Sequence, residues 1–278
     1  MIFALHDLSA SGVNLLMNDY AAGLPSPLSF LGFGDALMRE FELEPWTART
    51  IPVLHHVMPS DGRTKPEMEN KSGQFSPVET MEDLVGHVQL SLIIDLPGCD
   101  SAAKLKSAIV RRRIAGGTIQ NDDDIRVEEV TADGSAFRRI RRGYAFLRPD
   151  KKSDGYLQIS TGCEDSIARV AHKIFPAVRE PGSGWFVPVS AGYKILEDPT
   201  TVPQRIRTRS REIPHVFAEP VLGIAEMISV RNPRLTSLTE EGLNALFWQW
   251  TTQGEYILGH VNYVPDSIDQ EERQNGQI

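Results

Sequence analysis

The chain has 278 residues, of which 41% are hydrophobic and 24% charged, a balance that excludes a disordered polymer and leaves room for one large domain or two small ones. No run approaches the ~18–20 uninterrupted apolar residues of a bilayer crossing, and Met1–Leu5 has neither the basic start nor the length of a signal peptide, so a cytoplasmic protein with no membrane partner is expected. The net charge is −8, which argues against a nucleic-acid partner unless the basic residues are segregated.

A short strand over residues 1 to about 6 opens the chain. A helix follows, with Ser26 as cap and Pro27 in the first position, where its missing N–H costs nothing. Phe30, Phe33, Leu37 and Phe41 recur at helical spacing, and Pro45 closes the element. A second strand is expected at about 50–58. Residues 59–80, punctuated by Pro59, Gly62, Pro66, Gly73 and Pro77 and carrying Arg63, Lys65 and Lys71, read as a projecting loop or irregular hairpin.

The alternation of Val88, Leu90, Leu92, Ile94 and Leu96 with His87, Gln89, Ser91 and Asp95 predicts a half-buried strand. The next helix is expected over about 101–114, with Lys104 and Arg111, and Lys106 and Arg113, seven apart on an outer face. Gly116 and Gly117 end it and lead into another strand. This order is the split βαβ pattern of ferredoxin-like, RNA-recognition (RRM-like) modules, so the fold class is α+β.

The second half reads as strand-rich: 141–148, 155–160, 185–189, 216–230 broken near Pro220 and Gly223, and 255–264. A helix introduced by Ser237-Leu238-Thr239-Glu240 is expected to carry Leu243, Leu246, Phe247 and Trp250 on one side. The division falls at 1–150 and 151–278, the second portion packed on the first.

Motifs of catalysis are scarce. There is no P-loop, dinucleotide fingerprint, nucleophile elbow or His-Glu-x-x-His. Cys99 and Cys163 are too few for a disulfide framework and lie in no Cys/His cluster, so they read as packed thiols, and neither metal nor cofactor is expected. His55 and His56, adjacent on a strand, should face opposite ways, one packed and one exposed. Asp122-Asp123-Asp124 read as turn chemistry.

The basic residues are segregated. Residues 104–113 hold five Lys/Arg, 138–152 hold seven and 205–211 hold four, against one acid, Asp150. Such islands suit phosphate neutralisation, although any one of them also reads as a solvated face. Arg205, Arg207, Arg209 and Arg211 alternate, which on an extended segment would make one row of guanidinium groups. Arg138, Arg139, Arg141 and Arg142 precede Tyr144 and Phe146, a mixture of charge and aromatic faces suited to unpaired nucleotides, with ordinary core the alternative for the two rings.

Four stretches carry a family resemblance in order along the chain: Gly23–Leu37, Arg112–Ile119, Gly184–Tyr193 and Phe217–Trp250. Together they resemble the second subunit of the Csy complex, the five-prime-handle-binding member of type I-F CRISPR Cascade. The resemblance implies a repeat-associated (RAMP) RNA-binding fold with an inserted thumb at about 59–80, and a non-enzymatic role. It implies three macromolecular partners: the crRNA five-prime handle, the backbone subunit whose filament the chain would cap, and the large subunit that inspects target DNA.

The residues expected to meet RNA are Arg63, Lys65 and Lys71; Arg111, Arg112 and Arg113; Arg138, Arg139, Arg141 and Arg142; and Arg205, Arg207, Arg209 and Arg211. Gly116 and Gly117 would let the RNA backbone approach, although a helix C-cap serves the glycine pair equally. Two other functions fit the same residues: a guide-processing endoribonuclease using His6, His55 or His56, and a protein-only module whose arginines bind acidic partners.

Overall fold

In a computed structural model the described residues are 1–18, 21–60, 64–82, 84–110, 112–149, 168, 171, 172, 174–179, 181–203, 205 and 214–259. The first strand, β1 (Ile2–Asn14), runs well past residue 6 because a bulge lets it continue: Leu5 pairs with Leu92 and Leu8 with Leu90, and Asp7 takes a left-handed φ of 57° between them. Two short strands, β2 (Leu16–Asn18) and β3 (Ala21–Ala22), lead to α1 (Pro27–Glu40). Its cap is as expected: the Ser26 hydroxyl accepts from Leu28 N at 3.2 Å, and it also donates to the Ser190 carbonyl at 2.6 Å, anchoring the helix to the second half of the chain.

Two further strands of the central sheet follow, β4 (Arg49–Pro59) and β7 (Val85–Asp95), and between them in sequence lies a separate two-stranded sheet, the hairpin of β5 (Thr64–Lys71) and β6 (Gln74–Glu82). The projection at 59–80 is therefore a two-stranded hairpin springing from the end of β4 and β7, where Pro59 pairs with Gly86. Helix α2 (Ala102–Ile109) is shorter than expected, and the chain turns at Val110. Arg113 then belongs to β8 (Arg113–Ile114), so Lys106 and Arg113 do not share a helix face; Arg111 lies outside the described residues.

A tight turn joins β8 to β9 (Gly117–Ile119), with Ala115 at φ 49° and Gly116 at φ 80°. Both central residues in the left-handed region is the hairpin-turn conformation, so the glycine pair is neither a helix C-cap nor part of one. A single 3-10 turn at Asp122–Asp124 leads to β10 (Arg126–Glu129).

Strands β4, β7, β1 and then β9 and β10 lie side by side, all antiparallel, with α1 and α2 as crossovers. That is the ferredoxin-like arrangement. Additional strands extend the β4 edge of the same sheet: β11 (Tyr144–Leu147), β13 (Ala218–Ser229), β12 (Trp185–Ile195), β15 (Tyr256–Gly259) and β14 (Trp250–Gln253). β13 is unbroken, for Pro220 pairs with Tyr193 and Gly223 with Val189; the irregularity sits instead in β12, between Ser190 and Gly192. The expected strand at 155–160 lies outside the described residues.

Both faces of the sheet carry core. On one, α1 and α2 bury Phe30, Leu31, Phe33, Leu37, Leu105 and Ile109 against Leu5, Leu8, Leu90 and Leu92. Each such side chain contributes roughly 1.5–3 kcal/mol on leaving water. On the other, α3 (Ser135–Arg139), α4 (Pro233–Thr236) and α5 (Glu240–Asn244) cover Ile2, Ala4, Ile51, Val53, Ile93 and Ala145 with Phe137, Leu235 and Leu243.

α5 departs from the sequence reading. Thr239, not Ser237, caps it, and it stops at Asn244. Tertiary pairing outweighs the helical spacing: Trp248 exchanges two backbone hydrogen bonds with Thr50, at 2.9 and 3.0 Å, and its indole N–H donates to the Phe146 carbonyl at 2.8 Å. Trp250 consequently starts a strand.

Candidate nucleic-acid interface

The helices α3 to α5 cover only part of their face of the sheet. Where Ile93 and Val53 give way to Ser91 and Gln89, the cover ends and the surface becomes polar. Cross-strand register defines the floor of this open half. His87 pairs with Ser11 on β1 and Met58 on β4, Ser11 with Thr118 on β9, and Thr118 with Arg113 on β8. One step along, Gln89 pairs with Ser9 and His56. Directly opposed residues share a face, so this floor is built mainly of hydroxyl, amide and imidazole groups, with Met58 at its β4 side and the Asp7 carboxylate beside it, ion-paired with Arg141.

Beside the floor, toward the covered half, sits a closed polar network. His55 Nδ1 is 3.0 Å from the Arg142 carbonyl, which can only accept; Nδ1 therefore carries the proton, and Nε2 accepts from the Ser91 hydroxyl at 2.8 Å. Ser91 Oγ in turn accepts from Asp7 N at 3.2 Å. Burial, then the Arg141 guanidinium, hold the His55 pKa below its ordinary value. His6, buried, donates to Glu128 at 2.9 Å and is likewise lowered, by burial first and Arg126 second. A bulge between Leu54 and His56 places His56 opposite Gln89, on the face from which His55 reaches Ser91. The two histidines thus share a face, against the expectation of opposite ones, while one is half-buried and the other exposed as expected.

The expected basic residues distribute unequally. Arg113 is exposed on the floor's β8 edge, and its side chain forms no hydrogen bond or ion pair among the described residues. At the other side, Arg141 Nε meets Asp7 at 2.7 Å and its Nη2 donates to Gln89 Oε1 at 3.1 Å, with the side chain still 46% exposed. Among the described residues the exposed Arg142 side chain is unpaired, and Arg139 makes a loose 3.8 Å contact with Glu128. Lys65 and Lys71 lie on β5 of the hairpin that rises from the floor's end; Arg63 lies outside the described residues.

Other predicted residues are engaged elsewhere. Arg112 pairs with Glu40, on the α1 side. Arg138 donates to the Thr236 carbonyl at 2.7 Å, tying α3 to α4. Arg205 is paired with Glu197, donates to the His215 carbonyl at 3.0 Å and lies over Phe217 at 4.1 Å. Arg207, Arg209 and Arg211 lie outside the described residues.

Gly117 is buried against β1, where a Cβ would come within 2.7 Å of the Val13 side chain and 2.8 Å of the Ser11 carbonyl, so close strand packing accounts for it. Gly116 is exposed, with open space around it. The aromatics differ as well: Phe146 is core, and Tyr144, though exposed, pairs with Leu54 and belongs to the α1 side of the sheet. Sequence reading missed Ser9, Ser11 and Thr118, because β1 was expected to end before the first two. The polar half of the β7 alternation, His87, Gln89 and Ser91, was the signal that could have found them.

Among the described residues no group of three or more His, Cys, Asp or Glu could hold a metal ion, and no helix is long and apolar enough to cross a membrane. Cys99 is a free, buried thiol. Residues 156–258 match the family model described as CRISPR-associated protein (Cas_Csy2). A Cas_Csy2-like segment is thus present in the second half of the chain and includes β12, β13, α4, α5 and β14. A search of curated proteins gives no match.

Proposed function

We propose that the chain is a non-catalytic RNA-holding subunit of a type I-F CRISPR surveillance complex, gripping the five-prime handle of the guide RNA. The observation that carries this reading is the open half-sheet: a polar floor of Ser9, Ser11, His87, Gln89, His56 and Thr118, flanked by Arg113 and by Arg141, which is paired with Asp7, and overlooked by the hairpin of Lys65 and Lys71. Hydroxyl and imidazole groups donate to phosphate and 2′-hydroxyl oxygens, while guanidinium groups neutralise the backbone. The Cas_Csy2-like segment supports a place in a CRISPR complex, and in this reading the chain caps the backbone filament beside the large subunit and meets target DNA indirectly.

The floor lacks stacking aromatics among the described residues, so its grip is directed at the sugar–phosphate chain and not at base identity. Sequence reading of DNA would rest with the guide. A nuclease role finds no support in the histidines: His55 and His87 use both ring nitrogens, the latter on Ser9 and Ser11, and His6 is buried against Glu128. Of the three histidines that a nuclease would draw on, His6, His55 and His56, His56 is the exposed one, and among the described residues no partner orients it.

The test is binding of labelled handle RNA across a salt series. Replacing Arg113 and Arg142 by Gln should weaken binding and flatten the logarithmic salt slope by about 1.4, at ~0.7 per phosphate contact to a single strand. An unchanged slope would remove the open half-sheet from the interface. Cleavage of repeat RNA that depends on His56 would overturn the non-catalytic role.

A further inference from the structure

On the open half-sheet one imidazole is held between two hydroxyls. His87 on β7 lies against two serines of β1: its Nε2 is 3.2 Å from the Ser9 hydroxyl and its Nδ1 is 3.0 Å from the Ser11 hydroxyl. All three side chains are half-buried, and among the described residues neither hydroxyl has another side-chain partner. A neutral imidazole has one N–H and one bare nitrogen. One serine must therefore accept from the ring while the other donates to it, whichever nitrogen carries the proton. The accepting serine keeps its O–H proton for a ligand, and the donating serine turns only lone pairs outward.

The surroundings decide which serine is which. Ser11 stands opposite Thr118 on β9, and Thr118 opposite Arg113 on β8, so a hydroxyl and a cation lie on its side. Ser9 stands opposite Gln89, whose amide oxygen is held by Arg141, and that guanidinium is already paired with the Asp7 carboxylate. An anion is attracted toward Ser11 and Arg113, and less toward the neutralised pair beside Ser9. A phosphate at Ser11 selects the tautomer with the proton on Nδ1, in which Ser11 donates outward and Ser9 offers lone pairs.

We propose that Ser9, His87 and Ser11 read one ribonucleotide as a phosphate and a 2′-hydroxyl, and that His87 sets a preference for RNA over DNA by orienting the two serines. Ser11 and Arg113 take the phosphate, while the lone pairs of Ser9 accept the 2′-hydroxyl proton. The serines are two residues apart on one strand face, about 7 Å, within the span of one sugar and its phosphate. A phosphate oxygen only accepts, so it cannot take the place of the hydroxyl at Ser9, and a deoxyribose leaves that acceptor unpaired. This rests on the RNA-holding reading and adds to it that the sugar is discriminated, with His87 as a positioning residue.

The test compares binding of labelled handle RNA with that of the all-deoxy strand of the same sequence. Ser9→Ala should weaken RNA about five- to tenfold and leave DNA near its wild-type affinity, whereas Ser11→Ala should weaken both alike. His87→Leu, which frees both hydroxyls to rotate, should cut the RNA-to-DNA ratio roughly threefold. His87→Gln, which keeps one donor and one acceptor, should restore it. Serine variants that act alike or in the reverse order, or a ratio that is unchanged in His87→Leu or not restored in His87→Gln, overturn the proposal. The two readings fail separately: a salt slope flattened by Arg113→Gln with Arg142→Gln, beside a ratio that no variant moves, overturns the sugar discrimination alone, and an unchanged slope overturns both.

Discussion

His55 lies so close over Gly143 that a Cβ at position 143 would come within 2.5 Å of the imidazole Nδ1, and within 2.8 Å of the Leu54 carbonyl oxygen. The glycine lets β11 approach β4 where His55 donates to the Arg142 carbonyl, and so sets the position of the arginine turn beside the open half-sheet. Gly143→Ala should destabilise the fold by ~1–3 kcal/mol, the usual range for overpacking. Adding His55→Ala should recover only part of this, since the Leu54 carbonyl remains in the way. Urea midpoints of the two variants check it, and a single variant as stable as the wild type would contradict the packing.

His6 and His55 give the fold a pH dependence whose sign follows from burial. Both have folded pKa values lowered from 6.5, burial being the first cause in each. Below about pH 6.5 the unfolded chain binds protons that the folded chain refuses, so stability is full above that value and is lost as pH falls toward the folded pKa values. Urea unfolding from about pH 8 to about pH 5 should show this loss, and His55→Gln should make it shallower. A stability that rises on acidification over that range would contradict the assignment.

The ferredoxin-like half was legible because its signals are local. Ser26 and Pro27 start α1 by capping chemistry, and the β7 alternation reports the strand, although it is half-buried only over Val85–Gln89 and buried on both faces from Leu90 to Asp95, where α3 to α5 cover the polar side. What escaped depends on partners distant in sequence. The bulge at Asp7, whose amide donates to Ser91 across the sheet, lets β1 resume its pairing with β7 from Leu8 to Asn14, and the same kind of irregularity at His55 defeats the rule that neighbours face opposite ways. Leu243, Leu246, Phe247 and Trp250 do have helical spacing, yet the Thr50 backbone claims Trp248 and the helix cannot continue. The charge islands were visible as composition, but composition does not say that Arg112 and Arg205 are paired with glutamates while Arg113 and Arg142 have no side-chain partner among the described residues.

Gly116 and Gly117 should respond differently to alanine, because different constraints act on them. Gly116 has room for a Cβ but sits at φ 80°, so Gly116→Ala should cost about 1 kcal/mol through backbone conformation alone. Gly117→Ala forces a Cβ against Val13 and the Ser11 carbonyl and should cost more, ~1–3 kcal/mol. Thermal unfolding of the pair gives the order. RNA affinity should change little in Gly116→Ala, and a large loss there without destabilisation would return that glycine to the RNA contact.

The ion pair of Glu226 with Arg234 is the one in which removing a cation should matter most. Glu226 is 2% exposed, accepts from Gly184 N at 2.9 Å and from Arg234 NH1 at 2.7 Å, and sits on β13 opposite Phe186 of β12. Stranding a carboxylate at that depth costs ~3–5 kcal/mol when its partner is wholly buried; because the Arg234 side chain is 45% exposed, solvent screens part of the loss and about 2 kcal/mol is expected for Arg234→Ala. Arg139, 56% exposed and 3.8 Å from Glu128, should cost no more than ~0.5 kcal/mol on the same substitution. Chemical denaturation of the two variants ranks them. Equal effects would mean that Glu226 finds another donor once Arg234 is gone, and that the seam between β12 and β13 is not held by this pair.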